Sequence, residues 1–108
     1  MFRYCYSLTT APELPATVLA RECYTYMFGS CTSITTASDL PATTLAASCY
    51  LGMFQNCTSL ITAPELPATI LTNANACYYS MFEGCTSLIS APQLPATTLV
   101  DSCYQHMF

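Results

Sequence analysis

Eight cysteines are the residues of this chain best equipped for chemistry, and their spacing limits what they can do. They fall into two series, Cys5, Cys31, Cys57, Cys85 and Cys23, Cys49, Cys77, Cys103. No Cys-x2-Cys pair exists and His106 is the only histidine, so the ligand set of a zinc site is missing. On a helix, Cys49 and Cys57 would stand about 12 Å apart at 1.5 Å rise per residue. A disulfide needs Cα atoms within about 7 Å. The series therefore read as free thiols packed as small apolar residues, with cross-rung disulfides inside one series as the alternative.

Other candidates are sparser. His106 has no recurring nucleophile beside it, and a general base needs such a partner within hydrogen-bond reach. Glu13, Asp39, Glu65 and Gln93 share one repeat position. On parallel rungs about 4.8 Å apart they would form a mostly acidic column, fit for a cation or a basic partner. A calcium ion wants six to eight oxygens, so the plainer reading is a solvated polar edge. Asn56-Cys57-Thr58 matches an N-glycosylation sequon with a core cysteine in its middle. Tyr24, Tyr50, Tyr78 and Tyr104, with Phe28, Phe54 and Phe82, could form a sugar-stacking row, but their helical spacing favours core packing. Nothing here calls for a cofactor, a metal or an enzymatic reaction.

Composition excludes several partners. Apolar residues make up 53% of 108 residues and charged residues 7%, with a net charge of −4. Arg3 and Arg21 are the only basic residues besides His106, which speaks against nucleic acid and against anionic membrane surfaces. Proline and threonine interrupt every apolar run, so no membrane-inserting span is expected. No signal peptide is visible at Met1.

The elements that must position these residues repeat in tandem. Met1, Met27, Met53, Met81 and Met107 stand 26, 26, 28 and 26 residues apart. The repeats run over about 1–26, 27–52, 53–80 and 81–106, with 107–108 opening a further one. Such a period predicts units that bury their apolar faces only by stacking. Cys49, Met53 and Cys57 at i, i+4 and i+8, with Tyr50 and Phe54 beside them, predict a short helix over Cys49–Leu60. Equivalent helices are expected at Cys23–Ile34 and Cys77–Leu88, with Asn73 or Asn75 capping the third. Thr- and Ile-rich stretches closed by proline predict short parallel strands near Leu8–Ala11, Ser33–Ala37, Leu60–Ala63 and Leu88–Ala91. The expected core is the eight cysteines with Met27, Met53, Met81, Phe28, Phe54 and Phe82.

The frame Met-Phe-x-x-Cys-Thr-Ser-Leu, then Ala-Pro-x-Leu-Pro-Ala-Thr-x-Leu, then Cys-Tyr, resembles the Bacteroides surface protein A-like leucine-rich repeats. It is also similar to mycoplasmal surface-lipoprotein repeats. The resemblance covers the whole chain. It implies right-handed coils on secreted or cell-surface proteins that adhere to host proteins, and it carries no catalytic residue. The expected fold is thus an α/β, right-handed, leucine-rich-repeat-like solenoid of about four coils, each with one short parallel strand and one short helix. The chain is expected to be a segment of a longer array. The expected function is non-enzymatic, extracellular or bacterial-surface binding of a protein or glycan. The alternative is a structural filament or stalk built by head-to-tail self-association.

Overall fold

In the computed structural model, which describes residues 2–108, the Cys-Tyr-x-x-Met-Phe segments do not form helices. From Ala20 to Cys31 the odd-numbered amides turn back onto the carbonyl three residues earlier: Cys23 on Ala20, Thr25 on Glu22, Met27 on Tyr24, Gly29 on Tyr26, Cys31 on Phe28. The even-numbered amides leave their own repeat. Glu22, Tyr24, Tyr26, Phe28 and Ser30 donate to the carbonyls of Ala47, Cys49, Leu51, Met53 and Gln55, at 2.7–3.0 Å. The same alternation joins the second repeat to the third and the third to the fourth.

Backbone conformation explains why the predicted helices are wrong. One residue in four has a positive φ: Glu22, Tyr26 and Ser30, then Ser48, Gly52 and Asn56, then Ala76, Ser80 and Gly84. A left-handed residue ends an α-helix, whose residues are all right-handed. The segment is instead a chain of tight turns with a four-residue period. Cys49, Met53 and Cys57 stay on one side because four residues make one full unit. On a helix of 3.6 residues per turn they would drift. Every backbone donor must find an acceptor, and here half of them find it in the neighbouring repeat.

The strands also shrink. Parallel pairing survives as isolated bridges, Thr10 to Thr36, Thr36 to Thr62 and Thr62 to Ser90, with Val18 to Thr44 and Ile70 to Thr98 at a second wall. Among the described residues there is no extended strand and no sheet. Pro12, Pro64 and Pro92 follow the first wall within two residues, and proline has no amide to extend a ladder. The expected α/β leucine-rich-repeat solenoid, with its helix and strand per coil, is therefore not the architecture of this chain. The molecule is a compact body of 35 × 23 × 17 Å held by turns and inter-repeat hydrogen bonds.

The two additional residues of the third interval are absorbed in one loop. Asn73 takes a positive φ and the Ala74 amide turns back to Leu71. There is no helix there for Asn73 or Asn75 to cap. The Asn75 carbonyl instead accepts the Ser48 amide at 2.9 Å.

Side chains stack as the backbone does. Phe2, Phe28, Phe54, Phe82 and Phe108 form one column with ring centroids 5.5–5.9 Å apart. Tyr24, Tyr50, Tyr78 and Tyr104 form a second at 5.6–6.0 Å. Offset stacking of this kind adds about 0.5–1.5 kcal/mol per pair beyond area burial. Met53, Met81, Leu60 and Leu71 fill the space between the walls and are fully buried.

Candidate binding surface

The cysteines lie along two columns inside or beside the core. Cys31, Cys49, Cys57, Cys77 and Cys103 are buried and Cys85 is partly covered, while Cys5 and Cys23, on the first repeat, are exposed. None is disulfide-bonded. In the first series three of the four thiols donate to a phenylalanine carbonyl of the preceding repeat: Cys31 to Phe2 at 2.8 Å, Cys57 to Phe28 at 3.1 Å and Cys85 to Phe54 at 3.0 Å. Burial pushes the Cys57 and Cys77 thiols up to about 12, and Cys49 and Cys85 up to about 11. At neutral pH they are un-ionised, and the thiol form is neither a nucleophile nor a metal ligand.

Met27 is partly covered, Met53 and Met81 are buried, and so are Phe28, Phe54 and Phe82. Tyr50 and Tyr78 are 2% and 1% exposed, so no sugar can reach their faces. The same burial raises both hydroxyls above the ordinary tyrosine range. Asn56 of the sequon is exposed, with buried Cys57 beside it. His106 is exposed, meets Tyr79 edge-on at 5.5 Å and lies 3.4 Å from the Gln105 side-chain amide nitrogen.

Glu13, Asp39, Glu65 and Gln93 come to one edge and all are exposed. Shallow hollows open between neighbouring repeats along this edge, walled by Pro15 and Pro41 at one end and by Pro67 and Pro95 at the other. The carboxylates remain in solvent. Among the described residues no three of His, Cys, Asp or Glu gather as a metal ligand set.

The first bridged wall lies where short parallel strands were expected, near Leu8–Ala11, Ser33–Ala37, Leu60–Ala63 and Leu88–Ala91; spacing arguments missed the second wall and the exposure of both. One displays Thr9, Thr10, Thr35, Thr36, Ile61, Thr62, Ile89 and Ser90; the other displays Thr17, Val18, Thr43, Thr44, Thr69, Ile70, Thr97 and Thr98. All are exposed, none is charged, and every one except Ser90 is β-branched. Val18 is 69% exposed, Ile70 57% and Ile89 77%. A β-branched side chain is held at χ1, so these rows are ordered before any partner arrives. The signal was present as paired Thr, Val or Ile after each Pro-Ala and after each Ser-Leu or Ser-Ile, with Ile89-Ser90 the one departure.

No family model, no characterised protein and no solved structure matches the chain.

Proposed function

We propose that this chain is a non-enzymatic binding scaffold of the cell exterior or bacterial surface, and that it holds a protein or glycan on its β-branched walls. The observation that carries the reading is the pair of uncharged, exposed, repeating rows, in a protein whose other apolar side chains are largely packed away. Contiguous exposed apolar surface marks interaction sites, and threonine adds a hydroxyl donor and acceptor on each rung. Pre-ordered side chains reduce the entropy lost on binding. The resemblance to surface-protein repeats supports the location.

A glycan array and binding to intact host cells test the proposal. Thr36→Lys with Thr62→Lys on the first wall, or Thr44→Lys with Ile70→Lys on the second, should lower binding at least tenfold while thermal unfolding stays unchanged. Equal binding by both variants would refute the role of the walls.

A further inference from the structure

The hydrogen bonds between repeats all run in one sense along the turn wall, from amide in the earlier repeat to carbonyl in the later one. One face of every repeat therefore offers amides and the opposite face offers carbonyls. On the last repeat the amides of Gly84, Ser102, Tyr104 and His106 have no backbone acceptor among the described residues. On the first repeat the carbonyls of Arg3, Arg21, Cys23 and Thr25 have no backbone donor among the described residues. At the Thr wall the sense reverses: Thr35, Ile61 and Ile89 amides donate backwards, which leaves the Thr9 amide open at one face and the Ile89 carbonyl open at the other.

The basic residues follow the same division, Arg21 with Glu22 of its own repeat beside it at 3.3 Å. Successive backbone bonds, Tyr4 to Gly29, Ser30 to Gln55 and Asn56 to Glu83, put Gly29, Gln55 and Glu83 in one column. Arg3 begins that column, its side chain 3.5 Å from a Cβ built on Gly29. Neighbours in it reach each other, since Gln55 Nε2 donates to Glu83 Oε2 at 3.0 Å. The bonds Glu22 to Ala47, Ser48 to Asn75 and Ala76 to Asp101 define a second column, which Arg21 begins and Asp101 ends. Both arginines of the chain thus stand at the first repeat, and each shares its column with a carboxylate on the last.

We propose that a second copy of this chain docks end to end on the first, its Arg3 over Glu83 and its Arg21 over Asp101. The contact continues the interface already present between repeats. Gly84, Ser102, Tyr104 and His106 amides donate to the second copy's Arg3, Arg21, Cys23 and Thr25 carbonyls, and its Thr9 amide donates to the Ile89 carbonyl. The tyrosine column runs on from Tyr104 to the second copy's Tyr24. Phe108 already stands over Phe82 at 5.9 Å, in the place the second copy's Phe2 would take, so Phe108 replaces that ring against the second copy's Phe28. The joined faces are different patches, so the contact is heterologous and propagates into filaments.

Charge reversal tests this. Sedimentation and electron microscopy should show concentration-dependent filaments with a rise of about 19 Å per chain, four strand spacings. Arg3→Glu with Arg21→Glu should raise the concentration needed for assembly at least tenfold, as should Glu83→Arg with Asp101→Arg, because each variant carries like charges at both ends. Mixed in equal amounts, the two variants should assemble as the parent does. The fourfold reversal should assemble alone, a control for any pair that folds poorly. Added salt should weaken assembly of the parent, the mixture and the fourfold reversal, whose ends attract, and ease that of either double variant alone, whose ends repel. A parent chain that stays monomeric at millimolar concentration, or a mixture no better than its parts, would overturn the proposal.

Discussion

Cys57 shows how a residue's type can be read correctly while its bonding is not. Its burial follows from the apolar column around it. Its acceptor, the Phe28 carbonyl at 3.1 Å, belongs to another repeat and has no sequence signature. That acceptor changes the expected cost of substitution. A hydroxyl with no partner in a core costs about 1–3 kcal/mol, but the Ser hydroxyl of Cys57→Ser can donate to Phe28. The loss should fall near the bottom of that range. Phe54→Ala opens a cavity in the phenylalanine column and should cost about 3–5 kcal/mol. Urea unfolding of the two variants measures the difference; equal losses would remove the hydrogen bond from the account. The same thiols set an alkaline limit. Cys49, Cys57, Cys77 and Cys85 have folded values of about 11 to 12 against an ordinary 9.0. A raised folded value means that the contribution is whole below the unfolded value and is lost as pH rises through the folded one. Stability should therefore be insensitive to these groups at neutral pH, begin to fall above about 9 and keep falling through 11 to 12. Unfolding midpoints followed over that range would show it.

The turn segments were misread because two periods look alike over three positions. Spacings of four fit a helix for two turns, and Cys49, Met53 and Cys57 offer only that much evidence. The better signal lay at the residues between them. Gly52, Asn56, Ser30, Ser48, Ser80 and Gly84 are small or polar and recur every four residues, and glycine and asparagine are the residues that tolerate a left-handed backbone. Glu22 and Tyr26 adopt it too, against their own preference, so the inter-repeat bonds override local propensity. This makes a sharp test. Ser30 has φ 59°, and Ser30→Gly should stabilise by up to about 1 kcal/mol by relieving a left-handed Cβ. In a helix the same change would destabilise by a similar amount. Gly52→Ala should go the other way, because its φ is +58° and the Tyr26 ring covers the place of the new methyl. The proline positions carry a second test. Ser38 stands where other repeats have Pro12, Pro64 and Pro92, and its hydroxyl is buried without a partner. Its amide makes no backbone hydrogen bond. Ser38→Pro removes the orphan hydroxyl and stiffens the unfolded chain, which should raise stability by about 1 kcal/mol or more. A destabilised variant would mean that the second repeat turns this corner differently.

At the scale of the molecule, what the sequence made legible was the interval. The bridged residues Thr10, Thr36, Thr62 and Ser90 follow the 26, 26 and 28 of the methionines, because each contact column needs the same side chain at each level. The means of connection was not legible: amides that bond to another repeat instead of their own leave no composition signal, and so an architecture of helices and strands was inferred where turns and bridges stand. This connection governs how the molecule should open. Every bond between repeats joins neighbours, so each repeat is held by as many partners as it has sides, and protection should vary along the chain. Tyr50, Gly52, Phe54 and Asn56 donate to the next repeat, and their segment is also bonded from below by Tyr24, Tyr26, Phe28 and Ser30. It holds fully buried side chains, Met53, Phe54 and Cys57 among them at 0%. Phe2 and Tyr4 are held from one side only. Native-state hydrogen exchange on dilute protein should find the amides of Tyr50 to Asn56 and Tyr78 to Phe82 slowest, with Phe2 and Tyr4 exchanging at least tenfold faster. Raising the concentration adds a discriminating measurement. If copies join end to end, Gly84, Ser102, Tyr104, His106 and Thr9 should gain protection, Phe2 should lose it as Phe108 takes its place, and Tyr50 to Asn56 should change little. Uniform protection at every concentration would mean that the repeats open as one cooperative unit and that the outer faces stay in water.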